Sequence, residues 1–202
     1  MNGYGLTADE SRQEVLLSAA RTESVNGRVS ALMEADMKTM VVDVGAHALG
    51  RAVLACLPEL KTWDKPVGIV DIGASAMTFA ALLKGEVVYS RLQNFGGDQY
   101  SQALASFYSM SLDEAELAKV QGRLPADHEV DVLLPHLNTL VLQVKRNVQL
   151  FCSSSGNKEL SKLVLTGGGS LLPGLVGQIG SELNCDVLHP DPFALFGKPK
   201  GA

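Results

Sequence analysis

Between Val67 and Arg91 the chain runs through three apolar stretches with almost nothing between them. They are VGIVDIG (Val67–Gly73), MTFAALL (Met77–Leu83) and EVVYSR (Glu86–Arg91). Short apolar runs bounded by turn residues read as strands. Lys84-Gly85, between the second and third, is a tight hairpin signal. With so little connecting chain, each strand must turn back on the one before it, which predicts an antiparallel meander with a glycine turn after the first strand.

The flanking sequence surrounds this meander with helices and more strands. Upstream, EVLLSAA (Glu14–Ala20) and MVVDV (Met40–Val44) read as buried strands. Between them Val25, Val29, Leu32 and Met33 recur at helical spacing, and Ala46–Leu57 reads as a second helix. Residues 58–66 look like a connection. Downstream, Tyr100, Ala103, Leu104, Phe107 and Tyr108 form one helical stripe, and Ser111 with Glu114 has capping-box spacing, closed by Gly122. A long stripe from Val130 to Phe151 is a core helix or, on spacing alone, a coiled-coil segment. KLVLTG (Lys162–Gly167) returns to strand, and Pro173 is expected in the first turn of the next helix. Cys185–Pro190 is a last candidate strand. The pattern is α/β with a mixed sheet.

Composition excludes several roles. The chain is 46% apolar and 19% charged with a net charge of −5. That is enough to build a core and too acidic to track a phosphate backbone. No stretch approaches the ~20 apolar residues of a membrane span, and the opening MNGYGLTADE lacks signal-peptide features. A cytoplasmic protein that meets membranes only through partners is expected. Cys56, Cys152 and Cys185 are too scattered for a disulfide framework or a CxxC site, and His47, His128, His136 and His189 lack zinc-ligand spacing.

Four segments carry candidate chemistry. Asp71-Ile72-Gly73-Ala74-Ser75, with Thr78 beyond, ends an apolar strand. Gly73 permits a sharp turn and close approach, the loop amides and hydroxyls suit phosphate oxygens, and Asp71 suits Mg²⁺ held through water. An ordinary Asp-Gly turn reads the same way. Gly167-Gly168-Gly169-Ser170 joins a strand to a helix and would let a planar base lie on the backbone. Gly96-Gly97-Asp98 opens a helix, with Asp98 the expected N-cap. Glu116 and Lys119 share a helix face, which a solvated ion pair also explains. Neither a P-loop nor a dinucleotide fingerprint occurs.

The order of these segments resembles one nucleotide-binding half of the actin, Hsp70 and hexokinase superfamily. DIGASAMTFAALLKGEVVYSRLQNFGGDQYSQAL, SMSLDEAELAKVQGRLP, LVLTGGGSLLPGL and DPFALFG together resemble the PilM family of type IV pilus assembly proteins, over nearly all of residues 14–196. The resemblance implies an actin-like, ribonuclease H-like fold. Residues 1–60 would be a remnant of subdomain 1C plus one 1A helix, and residues 61–202 would be domain 2. Within domain 2, 2A would take residues 66–95 and 160–190, and a helical 2B residues 96–159. It also implies a phosphate loop of Asp71, Gly73, Ala74, Ser75 and Thr78 with Gly96 and Gly97, an adenosine loop of Gly167, Gly168, Gly169 and Ser170, and Glu116 and Lys119 facing the nucleoside.

The sequence departs from that family in two ways. No Asp-x-Gly hairpin stands before residue 43 to make a first phosphate loop, and Gly45 occupies a position where an acidic residue is usual. Weak binding of ATP with Mg, and at most weak turnover, are therefore expected. The implied role is an inner-membrane assembly scaffold that binds the cytoplasmic tail of PilN, with apolar faces that favour a homodimer. The alternatives are a small-molecule kinase, which needs a positioned general base, and an FtsA-like filament former.

Overall fold

The computed structural model describes residues 17–156 and 159–196. The expected loop 1–13 and residues 14–16 of the first expected strand lie outside them. The chain divides into two compact units, Met1–Gly45 and Ala46–Ala202.

In the first unit the described chain holds one helix, α1 (Thr22–Glu34), where the spacing predicted one. No residue of α1 is buried. The second expected strand and the described part of the first are not formed: residues 17–20 and 40–44 are irregular, with Met40 and Val41 exposed to 77% and 78%. Among the described residues neither segment joins the five-stranded sheet or forms a ladder of its own, and an extended segment without a ladder is not stable as a strand.

The second unit is built on a five-stranded sheet in the order β3-β2-β1-β4-β5. Its strands are β1 (Val67–Ile72), β2 (Met77–Leu83), β3 (Glu86–Gln93), β4 (Lys162–Thr166) and β5 (Asp186–Leu188). β1, β2 and β3 form the predicted antiparallel meander, while β4 runs parallel to both β1 and β5. Lys84 and Gly85 both take positive φ, 51° and 78°. A two-residue type I′ hairpin requires this of both its central residues.

β1 reads as unbroken apolar sequence because both its faces are covered. On one face Val70, Ile72, Phe79 and Leu165 meet α3 (Gly97–Tyr108), α4 (Leu112–Gln121), α5 (Leu134–Ser155) and α6 (Leu175–Leu183) through Leu104, Ala115, Leu140 and Ile179. Phe79, Tyr89 and Phe151 close this core, with ring centroids 5.6–6.3 Å apart. On the other face Ile69, Ala80, Leu82 and Val164 pack against Val53 and Leu54 of α2 (Gly45–Cys56). That packing makes α2 part of the second compact unit.

Helix ends follow local chemistry with two corrections. α4 has the expected capping box, with Ser111 Oγ accepting from the Glu114 amide. It ends on Gly122 at φ 63°, a left-handed cap. Asp98, however, sits inside the first turn of α3. The N-cap is Gly96, whose amide donates to Gln99 Oε1 at 2.6 Å. Pro173 is likewise outside α6, because Gly174 at φ 81° redirects the chain and the helix begins at Leu175. The long apolar stripe is a core helix, entered through a π-helical turn at Glu129–Leu133. A short helix, α7 (Phe193–Phe196), follows β5.

Candidate functional site

Three of the four candidate segments meet at the C-terminal end of β1. Gly73 donates its amide to the Ala76 carbonyl at 2.9 Å, closing the turn into β2. The Gly73 and Ala74 carbonyls then accept from the first amides of α3, Gly97 at 3.0 Å and Asp98 at 2.9 Å. A Cβ on Gly96 would stand 2.4 Å from both carbonyl oxygens. Only glycine lets the helix seat there. The third segment approaches from the other side. Gly167, at φ 80°, would place a Cβ 2.4 Å from the Ile72 carbonyl oxygen, and Gly169 would place one 2.3 Å from Ile72 Cγ2.

Beneath this junction, parallel pairing sets Asp71 beside Thr166, and Thr166 Oγ1 donates to Asp71 Oδ1 at 2.8 Å. Antiparallel pairing sets Thr78 on its other side. Ser75 is at the exposed tip of the turn.

Above it opens a cleft of about 560 Å³, within the range of small-ligand pockets. Backbone lines it at Gly73, Ala74, Gly97, Gly168 and Gly169, and apolar side chains line it at Val120, Leu124, Leu133, Leu171, Leu172 and Pro173. Lys119 lines it too, its Nζ 3.9 Å from the point a Gly97 Cβ would occupy.

Glu116 and Lys119 are more than a solvated pair. Lys119 Nζ donates to Glu116 Oε1 at 2.8 Å and to Ser101 Oγ at 2.6 Å, and Ser101 Oγ in turn donates to Glu116 Oε1. The hydrogen bond from Lys119, and then that from Ser101, hold the Glu116 carboxyl below the usual glutamate range against the opposing effect of burial. Ser101 itself is fully buried on α3.

Tyr100, which lines the cleft, packs on His136 with ring centroids 5.3 Å apart, and Phe95 stacks on the same imidazole at 5.6 Å. His136 Nε2 has no hydrogen-bond partner among the described residues. Burial first, and then the charge of Lys119, lower the His136 pKa below its ordinary 6.5.

Ser170 turns away from this cleft. Its hydroxyl bonds the Gly167 carbonyl at 2.6 Å and His189 Nε2 at 2.8 Å, and it lines a second cavity of about 540 Å³ beside α2 with Leu49, Val53, His189 and Phe193. The 3₁₀ turn Gly168–Leu171 is the wall between the two, Gly168 and Leu171 lining both.

The structure thus brings Gly73, Ala74, Gly97, Lys119, Gly168 and Gly169 into one cleft, with Asp71, Thr78 and Gly96 behind it. The amides of Gly96 and Gly97 are engaged by Gln99 and Gly73, so these glycines contribute closeness of approach and not donors. Ser101, Thr166 and Tyr100 escaped the sequence reading. Ser101 lies one turn after Gly97, and Thr166 directly precedes the glycine run, but only the tertiary pairing shows what they hold.

A family model described as type IV pilus assembly protein PilM matches residues 5–199. The structure aligns with a chain of the PilM-PilN type IV pilus biogenesis complex at TM-score 0.71 and 24% identity, covering 87% of this chain and 50% of that one. It aligns with MreB 5 of Spiroplasma citri bound to AMPPNP at TM-score 0.57 and 15% identity, covering 85% and 61%. By sequence it is 27% identical over 132 residues to ethanolamine utilization protein EutJ of Escherichia coli strain K12, covering 65% of this chain and 44% of that protein. The chain spans about half the length of the relatives it matches. The fold is the actin-like ATPase fold.

Proposed function

The chain belongs to the PilM family of type IV pilus assembly proteins, and from that premise we propose that it serves pilus biogenesis as an actin-like nucleotide-binding scaffold. One observation carries the reading. Backbone of the glycine turns, the Lys119 ammonium paired with Glu116, and apolar side chains all meet at a single cleft. A nucleotide presents phosphate, sugar and base, and each of these surfaces suits one of them. The tip of the Gly73–Ala76 turn would take the phosphates, as oriented amides take anions elsewhere. Val120, Leu124, Leu171 and Pro173 would cover the base.

The residues fit a magnesium ion that arrives with the nucleotide. Asp71 has one carboxylate oxygen on Thr166, which leaves the other for a water of the ion's shell. Among the described residues no three His, Cys, Asp or Glu side chains gather into a cage. Phosphate oxygens and water would therefore supply most of the ligands.

The partner in this reading is the short cytoplasmic tail of a PilN-type protein, through which a chain with no membrane-crossing helix among its described residues would reach the inner membrane. In this reading 2A would take residues 66–95 and 160–190 and 2B residues 96–159, and both would contribute to the lining of the cleft. Calorimetric titration of Mg-ATP and of ADP tests the site. Saturable binding that Gly97→Val abolishes supports it, and heat-silent titrations with a folded protein refute it. Fluorescence anisotropy with a labelled tail peptide tests the partner separately.

A further inference from the structure

The cavity beside α2, across the Gly168–Leu171 turn from the cleft, takes no part in the nucleotide reading and has a chemistry of its own. Its volume of about 540 Å³ is that of a small-ligand pocket. Leu49, Val53, Leu171, Pro192 and Phe193 give it an apolar lining. The polar side chains among them are Thr166, Ser170, His189 and Asp191, with Cys56 adding only a weak S–H donor.

The protons of these polar groups are already committed. Ser170 has one hydroxyl proton and lies 2.6 Å from the Gly167 carbonyl, which can only accept, so the proton points there. The 2.8 Å contact with His189 Nε2 then takes its proton from the imidazole. That fixes the tautomer of the neutral ring: Nε2 carries the hydrogen and Nδ1 is left as an acceptor. Thr166 gives its proton to Asp71 Oδ1 and keeps its lone pairs. Asp191 Oδ1 accepts the Phe193 amide at 2.9 Å, and Oδ2 can only accept as well. The capacity these four side chains have left is for accepting, and Asp191 adds a negative charge. The cleft is the reverse, since the charged side chain that lines it is Lys119. A phosphate suited to the cleft is repelled by the α2 cavity.

We infer that the α2 cavity is a second binding site, which takes a small apolar molecule ending in an ammonium group. The apolar body covers Leu49, Val53 and Phe193, and the ammonium donates to His189 Nδ1 and Asp191. An ammonium has three donors and no acceptor, the complement of this lining. A carboxylate of the same length brings acceptors and the wrong charge. A merely greasy hollow would take the two alike.

The test titrates hexylammonium chloride into the isotopically labelled full chain and follows backbone amide shifts by NMR, with hexanoate and hexanol as matched probes. Hexylammonium moves the Gly168–Leu171 and His189 signals saturably, with a Kd on the order of 1 mM for so small a ligand, and hexanoate binds at least about tenfold more weakly. Ala52→Trp, which adds bulk at an exposed position lining the cavity, abolishes those shifts. Asp191→Asn keeps an acceptor for the Phe193 amide; it weakens hexylammonium about fivefold and leaves hexanol unchanged. Equal binding of ammonium and carboxylate overturns the inference and leaves the greasy hollow. Undiminished binding in Ala52→Trp puts the ligand elsewhere and overturns it too, as does the absence of any shift by about 10 mM. All of this is measured without nucleotide, so the reading of the cleft stands or falls separately.

Discussion

The glycines under and around the cleft fall into two groups that look alike in sequence and differ in space. Gly96, Gly167 and Gly169 form a seam, where a Cβ would come within 2.4 Å of carbonyl oxygen or of Ile72. Gly97 and Gly168 form a floor: a Cβ on Gly97 meets nothing closer than 3.9 Å, and one on Gly168 meets nothing within 4 Å. The seam glycines are small because protein lies against them. The floor glycines have open space in front of them, which is where the proposed nucleotide would lie. Neighbouring glycines in one GGG run thus differ in what a side chain would meet.

Substitutions can break this division, and the largest effect is expected at the seam. Gly167 combines a left-handed φ of 80° with a site where any Cβ collides with backbone. Gly167→Ala should therefore cost about 3 kcal/mol in urea unfolding. A loss under about 1 kcal/mol would show that the seam can open. Gly97→Val should change stability by less than about 1 kcal/mol while weakening ADP at least tenfold in calorimetry, because it adds bulk to a residue that lines the cleft and whose Cβ has room. If stability falls as steeply as at Gly167, the floor and seam are not separate.

Acid should loosen the wall beside the floor. His136 is buried with a lowered pKa, so the folded state resists a proton that the unfolded chain accepts. Above 6.5 both states are neutral and nothing is lost; as pH falls below 6.5, stability falls until the lowered value is passed. His136→Gln should flatten that slope in melts between pH 7 and pH 5.

Thr166→Val removes the donor to Asp71 and should cost about 1 kcal/mol in the same unfolding assay. The smallest effect is expected at Gly168→Ala, where φ is ordinary and space is open. Stability should stay unchanged or rise by about 0.5 kcal/mol, since the unfolded chain loses freedom. ADP should weaken a few-fold.

Much of this was legible in sequence where the cause is local. The meander, the Lys84-Gly85 turn and the Ser111 capping box depend on neighbours a few residues away, and each formed where its residues predicted. Failures came where the cause is distant. Residues 40–44 have the composition of a strand but join no ladder among the described residues, so they did not become one. Asp98 looks like a cap, yet its amide is claimed by the Ala74 carbonyl. The site was readable as residue types, Asp-x-Gly, Gly-Gly and Glu-x-x-Lys. Its working contacts, Thr166 on Asp71 and Ser101 within the Lys119 ring, cross from one element to another and leave no spacing to read.

The turn Gly168–Leu171 has a cavity on each side and is only one 3₁₀ turn thick. Two ligands separated by such a partition cannot be thermodynamically indifferent if either one displaces it. Linkage then requires reciprocity: any factor by which filling the α2 cavity changes affinity for the cleft is the factor by which filling the cleft changes affinity for the α2 cavity. The Ser170 hydroxyl ties the partition to the Gly167 carbonyl and to His189, so a ligand that displaced it would have to break or carry those two hydrogen bonds.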